Sequence, residues 1–399
     1  MKKDKKPFRR PFTFFCLKNI FRPFAYFHLH YRRKSKYKIA KGEKVVVIAN
    51  HQTDYDPLLI LLSFNKLIRC LATDNIFAGK SSARFMTHLG IIPKRKGLVD
   101  IKSTTQMLNA SNNGDSLMFF PEGNRAYGDF QFYISPHIGR LLKSLKSTLI
   151  IFNLHGGFGT LPRIGNKQRK GKFYGEIRSV IHYDDYKDMS EEELYDLVKT
   201  SIKVFDSESG NLYKSKARAE YFERVFFVCP KCQSMLTMHS EGNYLKCSKC
   251  GCELEYTEDL HLKSDDVSFT KLVEYYNYQK RFIKDYDFSK MDVIFKDKDV
   301  SLTLANPYQK KYKLEKKSSL TLTQKELVFD HHRFNLSDIL VASPVSGRKL
   351  CFTIGDNNYT IKGDKRFNAI KYVFLFHKLD TLMKQKNIDD YFSLKEDEK

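Results

Sequence analysis

Two short blocks of this 399-residue chain carry residue types suited to proton transfer. The first is Asn50-His51-Gln52-Thr53-Asp54-Tyr55-Asp56-Pro57, directly after the apolar run Val45 to Ala49. His51 and Asp56 stand five positions apart, just past the end of a predicted buried strand. In α/β sheets, sites form in the loops at that end. Pro57 suits a first helical position, which makes Asp56 a natural N-cap. On one reading, Asp56 only caps that helix and His51 is a loop residue. On the other, Asp56 also orients His51. A carboxylate on one ring nitrogen fixes the tautomer and stabilises the imidazolium, so the other nitrogen can take a proton. The second block, Phe120-Pro121-Glu122-Gly123-Asn124-Arg125, lies about 70 residues on and again follows a predicted buried strand, Asp115 to Phe120. Between them stands Gly90-Ile91-Ile92-Pro93-Lys94-Arg95.

In order and spacing, Asn-His-x4-Asp, Gly-Ile-Ile-Pro-Lys-Arg and Phe-Pro-Glu-Gly-x-Arg resemble the glycerolipid acyltransferase family. Its best-known members are the bacterial 1-acylglycerol-3-phosphate acyltransferases. The resemblance covers roughly residues 40 to 205, less than half the chain. It implies transfer of a fatty acyl chain from a thioester on coenzyme A (acyl-CoA) or on acyl carrier protein (acyl-ACP) to a hydroxyl of lysophosphatidic acid or a related lysophospholipid. Glycerol-3-phosphate and an aminolipid stay open as acceptors. By the same resemblance His51 is the general base, held by Asp56. General-base help contributes roughly 10²- to 10⁴-fold. Backbone N–H groups near the motif loops are expected to meet the oxyanion. Glu122, Gly123 and Arg125 shape the acceptor site. Arg95, with Lys94 and Lys96, is a phosphate clamp, because a guanidinium fork matches phosphate oxygens. Without the neighbouring motifs, Lys94-Arg95-Lys96 reads as a solvated turn. Two departures stand out. The family's Val-Pro-Val-like last block is Ile150-Ile151-Phe152-Asn153-Leu154-His155 here, and the Thr and Ser after Glu-Gly are Asn124 and Ala126.

A different chemistry is written at Cys229-Pro230-Lys231-Cys232 and Cys247-Ser248-Lys249-Cys250. Two C-x-x-C turns can complete a tetrahedral thiolate site for structural zinc. Cys252 is a spare thiol or an alternative ligand. Leu236 to Leu245 reads as a hairpin around Glu241-Gly242-Asn243. Cys16, Cys70 and Cys351 are scattered, so a metal site in a reducing compartment is expected rather than a disulfide framework.

The elements that must hold these residues read as an α/β domain of the glycerolipid acyltransferase type, then a small zinc ribbon, then a mainly-β, barrel-like region. Residues 1–40 form a basic, aromatic segment. Either it lies in a membrane interface with cations toward anionic headgroups, or it packs on the body with its charges solvated. Residues 41–222 are the acyltransferase domain. Helices are expected over Pro57 to Phe64, over Lys102 to Asn112, and from a capping box at Ser190 past Val204. Ser147 to Leu154 is a third buried strand. Residues 225–260 are the ribbon. The linker over 261–289 carries a helix from Phe269 to Tyr286. Over 290–388, short strands at regular spacing are followed by a helix, Arg366 to Lys384, with Phe367, Ile370, Phe374 and Leu382 on one face. That pattern resembles a pleckstrin-homology-like barrel.

Composition sets the frame. There are 69 Lys+Arg against 46 Asp+Glu, a net charge of +23, and no Trp. An acidic partner follows: nucleic acid, anionic lipid or a phosphorylated substrate. No apolar run reaches the roughly 18 residues that a spanning helix needs, and the N-terminus does not read as a secretory signal. The expected enzyme therefore works at an anionic membrane surface, peripherally, on the cytoplasmic face of the cell membrane. The rival is a non-catalytic membrane- or nucleic-acid-binding protein on a degenerate acyltransferase fold. Nucleic acid is the weaker partner, because the ribbon offers only Lys231, Lys246 and Lys249.

Overall fold

The computed structural model describes residues 8, 10–95, 100–125, 127–345 and 348–383. Lys96, Ala126, Lys384 and the basic run Met1 to Lys6 lie outside them. The described residues divide into two compact units, one over 1–77, 81–163 and 168–214, the other over 78–80, 164–167 and 215–399.

In the first unit, helix α1 (Pro11–Pro23) opens on a proline and runs into a π-helical turn at Phe24–His28. Pro23 lacks the N–H that an α-helical turn needs there, and the wider turn follows it. Next come β1 (Tyr31–Arg33), β2 (Val45–Ala49), α2 (Asp56–Leu61), β3 (Arg69–Thr73), α3 (Lys80–His88), β4 (Ile92–Lys94), α4 (Ile101–Asn112) and β5 (Leu117–Phe119). The unit continues through α5 (Ile138–Leu145), β6 (Thr148–His155), α6 (Gly157–Thr160), β7 (Phe173–Ile181), α7 (Tyr183–Tyr186) and α8 (Glu191–Ser201).

Seven strands pair in the order β1-β7-β6-β2-β5-β3-β4. All neighbours are parallel except β6 and β7. Strand β2 is buried at every position because both faces of the sheet are covered. Val45, Val47 and Ala49 enter one core with Phe14, Ile60 and Phe152. Val46 and Ile48 point the other way, into a core with Met107, Leu142 and Val198. This alternation is the strand's period of two. Residues 10–40 are joined to this unit, since β1 pairs with β7 and Phe14, Ala25, Leu29 and Ile39 are core residues.

Several expected bounds shift. Helix α8 opens on the predicted capping box, with Glu193 N–H donating to Ser190 Oγ at 3.1 Å and Ser190 N–H to Glu193 at 2.7 Å. It stops at Ser201 instead of passing Val204, because the N–H groups of Asp206 and Ser207 turn to the Asp129 carboxylate. Helix α2 ends at Leu61, short of Phe64, and its N-cap is Tyr55 rather than Asp56.

In the second unit, β8 (Met238–Glu241), β9 (Tyr244–Cys247), β10 (Glu253–Tyr256) and β11 (Leu262–Lys263) form a four-stranded sheet. The β8–β9 hairpin turns through Gly242, as expected. Helix α9 (Leu272–Asp285) follows. Then β12 (Phe295–Leu304), β13 (Tyr312–Leu322), β14 (Glu326–Val328), β15 (Arg333–Asn335), β16 (Ile339–Pro344), β17 (Lys349–Ile354) and β18 (Asn357–Lys362) pair antiparallel in the order β15-β14-β13-β12-β18-β17-β16. Helix α10 (Ala369–Met383) is buried at nearly every position to Leu379, while Leu382 is exposed, so its apolar surface is not the single face expected. The Lys378 ammonium is buried and donates to the carbonyls of Ile283 and Lys284 at the C-terminal end of α9.

Candidate functional site

The parallel strands β2 and β5 are neighbours, so the loops at their C-terminal ends meet. One loop carries His51 and Asp56, the other Glu122 to Arg125. His51 Nδ1 lies 2.8 Å from Asp56 Oδ2. The Asp56 carboxylate is fully buried and also accepts from the N–H groups of Gln52 (2.6 Å) and Thr53 (2.8 Å). Thr53 Oγ1 donates to its second oxygen. Asp56 thus shapes the loop and orients the histidine instead of capping α2. A carboxylate holding these donors needs a proton from Nδ1, which leaves Nε2 as the acceptor. The His51 ring stacks on Phe120, with centroids 4.0 Å apart. Burial holds its pKa below the usual 6.5, against the opposing pull of Asp56.

Glu122 ties the two loops together. Its oxygens accept from the N–H groups of His51 (3.3 Å) and Phe132 (3.1 Å). Burial pushes its carboxyl up to about 8. Gly123 has a φ of +61°, the left-handed region that favours glycine, where the chain leaves β5. Arg125 pairs with Asp54 at 2.7 Å, across the mouth of the site. Arg95 stands exposed at the C-terminal end of β4, at the same end of the sheet but two strands away from β5.

Sequence reasoning missed four supports. Asn50 exchanges two 2.8 Å hydrogen bonds with the Leu154 backbone, fastening the loop after β2 to β6. Gln52 accepts from Gly157 N–H at 2.9 Å. Asp206 accepts from the N–H groups of Gly156 and Gly159. Arg163 donates to Asn124 Oδ1 at 2.8 Å and to the Arg125 carbonyl at 2.7 Å. Arg125 and Arg163 both bear electrostatically on His51 and disfavour a second positive charge there. No local pattern marks Arg163 or Asp206, since their partners lie far away in sequence. A cavity of about 20 Å³, the size of one water, is lined by His51, Glu122, Asn50 and Asp129.

The Cys229, Cys232, Cys247 and Cys250 sulfurs all lie within 4.8 Å of one another, and none forms a disulfide. The Cys229–Cys250 and Cys232–Cys247 pairs are 3.6 and 3.8 Å apart. Tetrahedral zinc with bonds of ~2.3 Å needs sulfurs ~3.8 Å apart, so this donor set fits zinc. Cys252 is buried and stands outside the cluster. Among the described residues no helix is long and apolar enough to cross a membrane.

Residues 30–153 match the family described as Acyltransferase. Among solved structures, the chain is similar to PlsC, the 1-acyl-sn-glycerophosphate (LPA) acyltransferase of Thermotoga maritima. Identity is 18% and the TM-score 0.41, over 48% of this chain and 76% of that one. No curated protein matches the chain.

Proposed function

From the match of residues 30–153 to the Acyltransferase family and the motifs they carry, we propose that this protein is a glycerolipid acyltransferase that transfers a fatty acyl chain from a thioester, on coenzyme A or acyl carrier protein, to the hydroxyl of lysophosphatidic acid or a related lysophospholipid. The observation that carries the mechanism is the 2.8 Å contact between His51 Nδ1 and a buried Asp56 carboxylate that backbone N–H groups already hold in place. Nε2 takes the hydroxyl proton, and the oxygen attacks the thioester carbonyl carbon. The tetrahedral intermediate collapses with loss of thiolate, which recovers the proton from Nε2 as a thiol. Asp56 stabilises the imidazolium between these steps. Arg125 and Arg163 supply positive potential beside His51, suited to a phosphate-bearing acceptor, and Arg95 is a more distant phosphate contact.

We propose a membrane surface, on the cytoplasmic side, as the place of the reaction. Phe12, Phe15, Ile20 and Phe27 are 78, 65, 76 and 73% exposed, while Phe14, Phe21 and Phe24 pack inward. At ~100° per residue the two sets fall on opposite arcs of the helix, so one segment can pack on the body and still present an apolar stripe to lipid. Zinc, held by the four cysteines, stabilises the ribbon fold. The seven-stranded region with α10 is read as pleckstrin-homology-like.

The test is incorporation of a labelled acyl chain from coenzyme A or carrier protein into a panel of lysolipids. Wild-type protein should acylate at least one, and His51→Ala should lose roughly 10²-fold or more with an unchanged melting temperature. Near wild-type transfer by that variant would sink the mechanism.

A further inference from the structure

Beside the His51 site, the first unit holds a much larger cleft, of about 890 Å³. It opens where β6 ends, next to the end of β2, and Val204 lines both this cleft and the cavity at His51. Three properties bear on its ligand. The size is that of a small-molecule site, since such pockets run to ~300–1,000 Å³. Its wall is strongly basic: Arg32, Lys34, Lys172, Arg178 and Lys203 line it with one carboxylate, Glu208, and Lys34 is also paired with Glu176 at 3.9 Å. Lys172 and Arg178 are exposed and make no ion pair among the described residues. A single phosphate takes one or two cations, so a wall this basic suits a molecule with several. Finally, Asn153 lines the cleft, is 2% exposed, and its Oδ1 has no hydrogen-bond partner. A buried polar atom without a partner costs roughly 1–3 kcal/mol, which a ligand donor would relieve.

We propose that this cleft seats the phosphorylated nucleotide end of coenzyme A, with Asn153 accepting a hydrogen bond from one of the ligand's N–H or O–H groups. The proposal rests on the acyltransferase reading, in which a thioester donor must reach His51. The diphosphate and 3′-phosphate of coenzyme A match the spread of cations. The shared wall at Val204 lets the thiol end of the molecule approach the His51 cavity. An acyl carrier protein would dock on an open surface instead of filling a concave site of this size.

Calorimetric titration of the full chain with free coenzyme A tests this. Wild type and His51→Ala should bind equally, and adenosine 3′,5′-bisphosphate should compete. Lys172→Ala/Arg178→Ala should weaken binding about tenfold or more, and Lys172→Arg/Arg178→Lys should restore it. Both side chains are exposed, so the substitutions leave the core intact; melting curves check this. Unchanged affinity in the double alanine variant overturns the proposal. So does a lack of binding to coenzyme A, or competition by inorganic phosphate or carrier protein as effective as that by the nucleotide. Coenzyme A binding that depends on the cations, without acyl transfer to any lysolipid, would leave the cleft standing and remove the enzymatic reading.

Discussion

At the scale of single residues, the site is a histidine whose charge is controlled from two sides. Asp56 stabilises the imidazolium; burial, Arg125 and Arg163 oppose it. In the proposed mechanism the neutral form is the base, so kcat/KM should rise with pH to a plateau, with its midpoint below 6.5. A bell centred well above that value would assign the base elsewhere. Glu122 works in the opposite sense. Its carboxyl, up at about 8 against an ordinary 4.5, binds a proton more tightly in the folded chain than in the unfolded one. That stability is fully present below pH 4.5 and is lost as pH rises through 8. Asp206, pushed up to about 7 by burial and by Asp129, acts in the same direction. Glu122→Gln should therefore flatten the fall in melting temperature between pH 4.5 and 8. An equally steep fall in that variant would assign the effect to Asp206 or another group.

At the scale of elements, the chemistry depends on which strand ends are neighbours. His51 and Glu122 meet because β2 and β5 pair in parallel, with Ile48 opposite Phe119. Beyond β6, Gly156 has a φ of +78°, and a Cβ there would lie 1.8 Å from the Lys172 carbonyl oxygen. That close approach brings Gly156 and Gly159 to Asp206. Gly156→Ala should thus destabilise by several kcal/mol, through both strain and overpacking, seen as a lower denaturant midpoint. The ribbon is an element held by its donor set. Its four strands are only two to four residues long, so metal binding and folding are expected to be coupled there. Purified protein should carry about one zinc per chain. A strong chelator should lower the melting temperature, and less than about half an equivalent would refute the site.

At the scale of the whole molecule, the two proposals assign the charge of +23 two uses in the first unit. Cations flank the exposed arc of α1, and others line the cleft beside β6. Full-length protein should sediment with anionic vesicles and much less with neutral ones, with affinity falling as salt rises. Phe12→Ser/Phe15→Ser/Phe27→Ser should release it without a change in melting temperature, because these rings are outside the core. Retention of that variant on vesicles would mean that α1 and the π-helical turn after it are not the contact.

Much was legible in the residues alone, because it is locally encoded. The His51–Asp56 pair, the two C-x-x-C turns, the Ser190 capping box and the buried β2 run all depend on spacings of a few residues, which backbone geometry converts directly into contacts. The cysteine cluster and a β-rich C-terminal region with a terminal helix follow from such signals, while the acyltransferase domain was expected from the family that the motifs resemble. Long-range closure was not legible. That α8 stops at Ser201, and that Arg163 and Asp206 buttress the site, depend on partners tens of residues or more away, chosen by sheet order. The basic cleft shows this most plainly. Its cations come from β1 and the residue after it, from β7, and from the segments flanking β7 and α8, and no pattern along the chain links them. Only the pairing β1-β7-β6-β2 puts them beside the histidine, because parallel and antiparallel strand neighbours are set by burial on both sheet faces and not by distance in sequence.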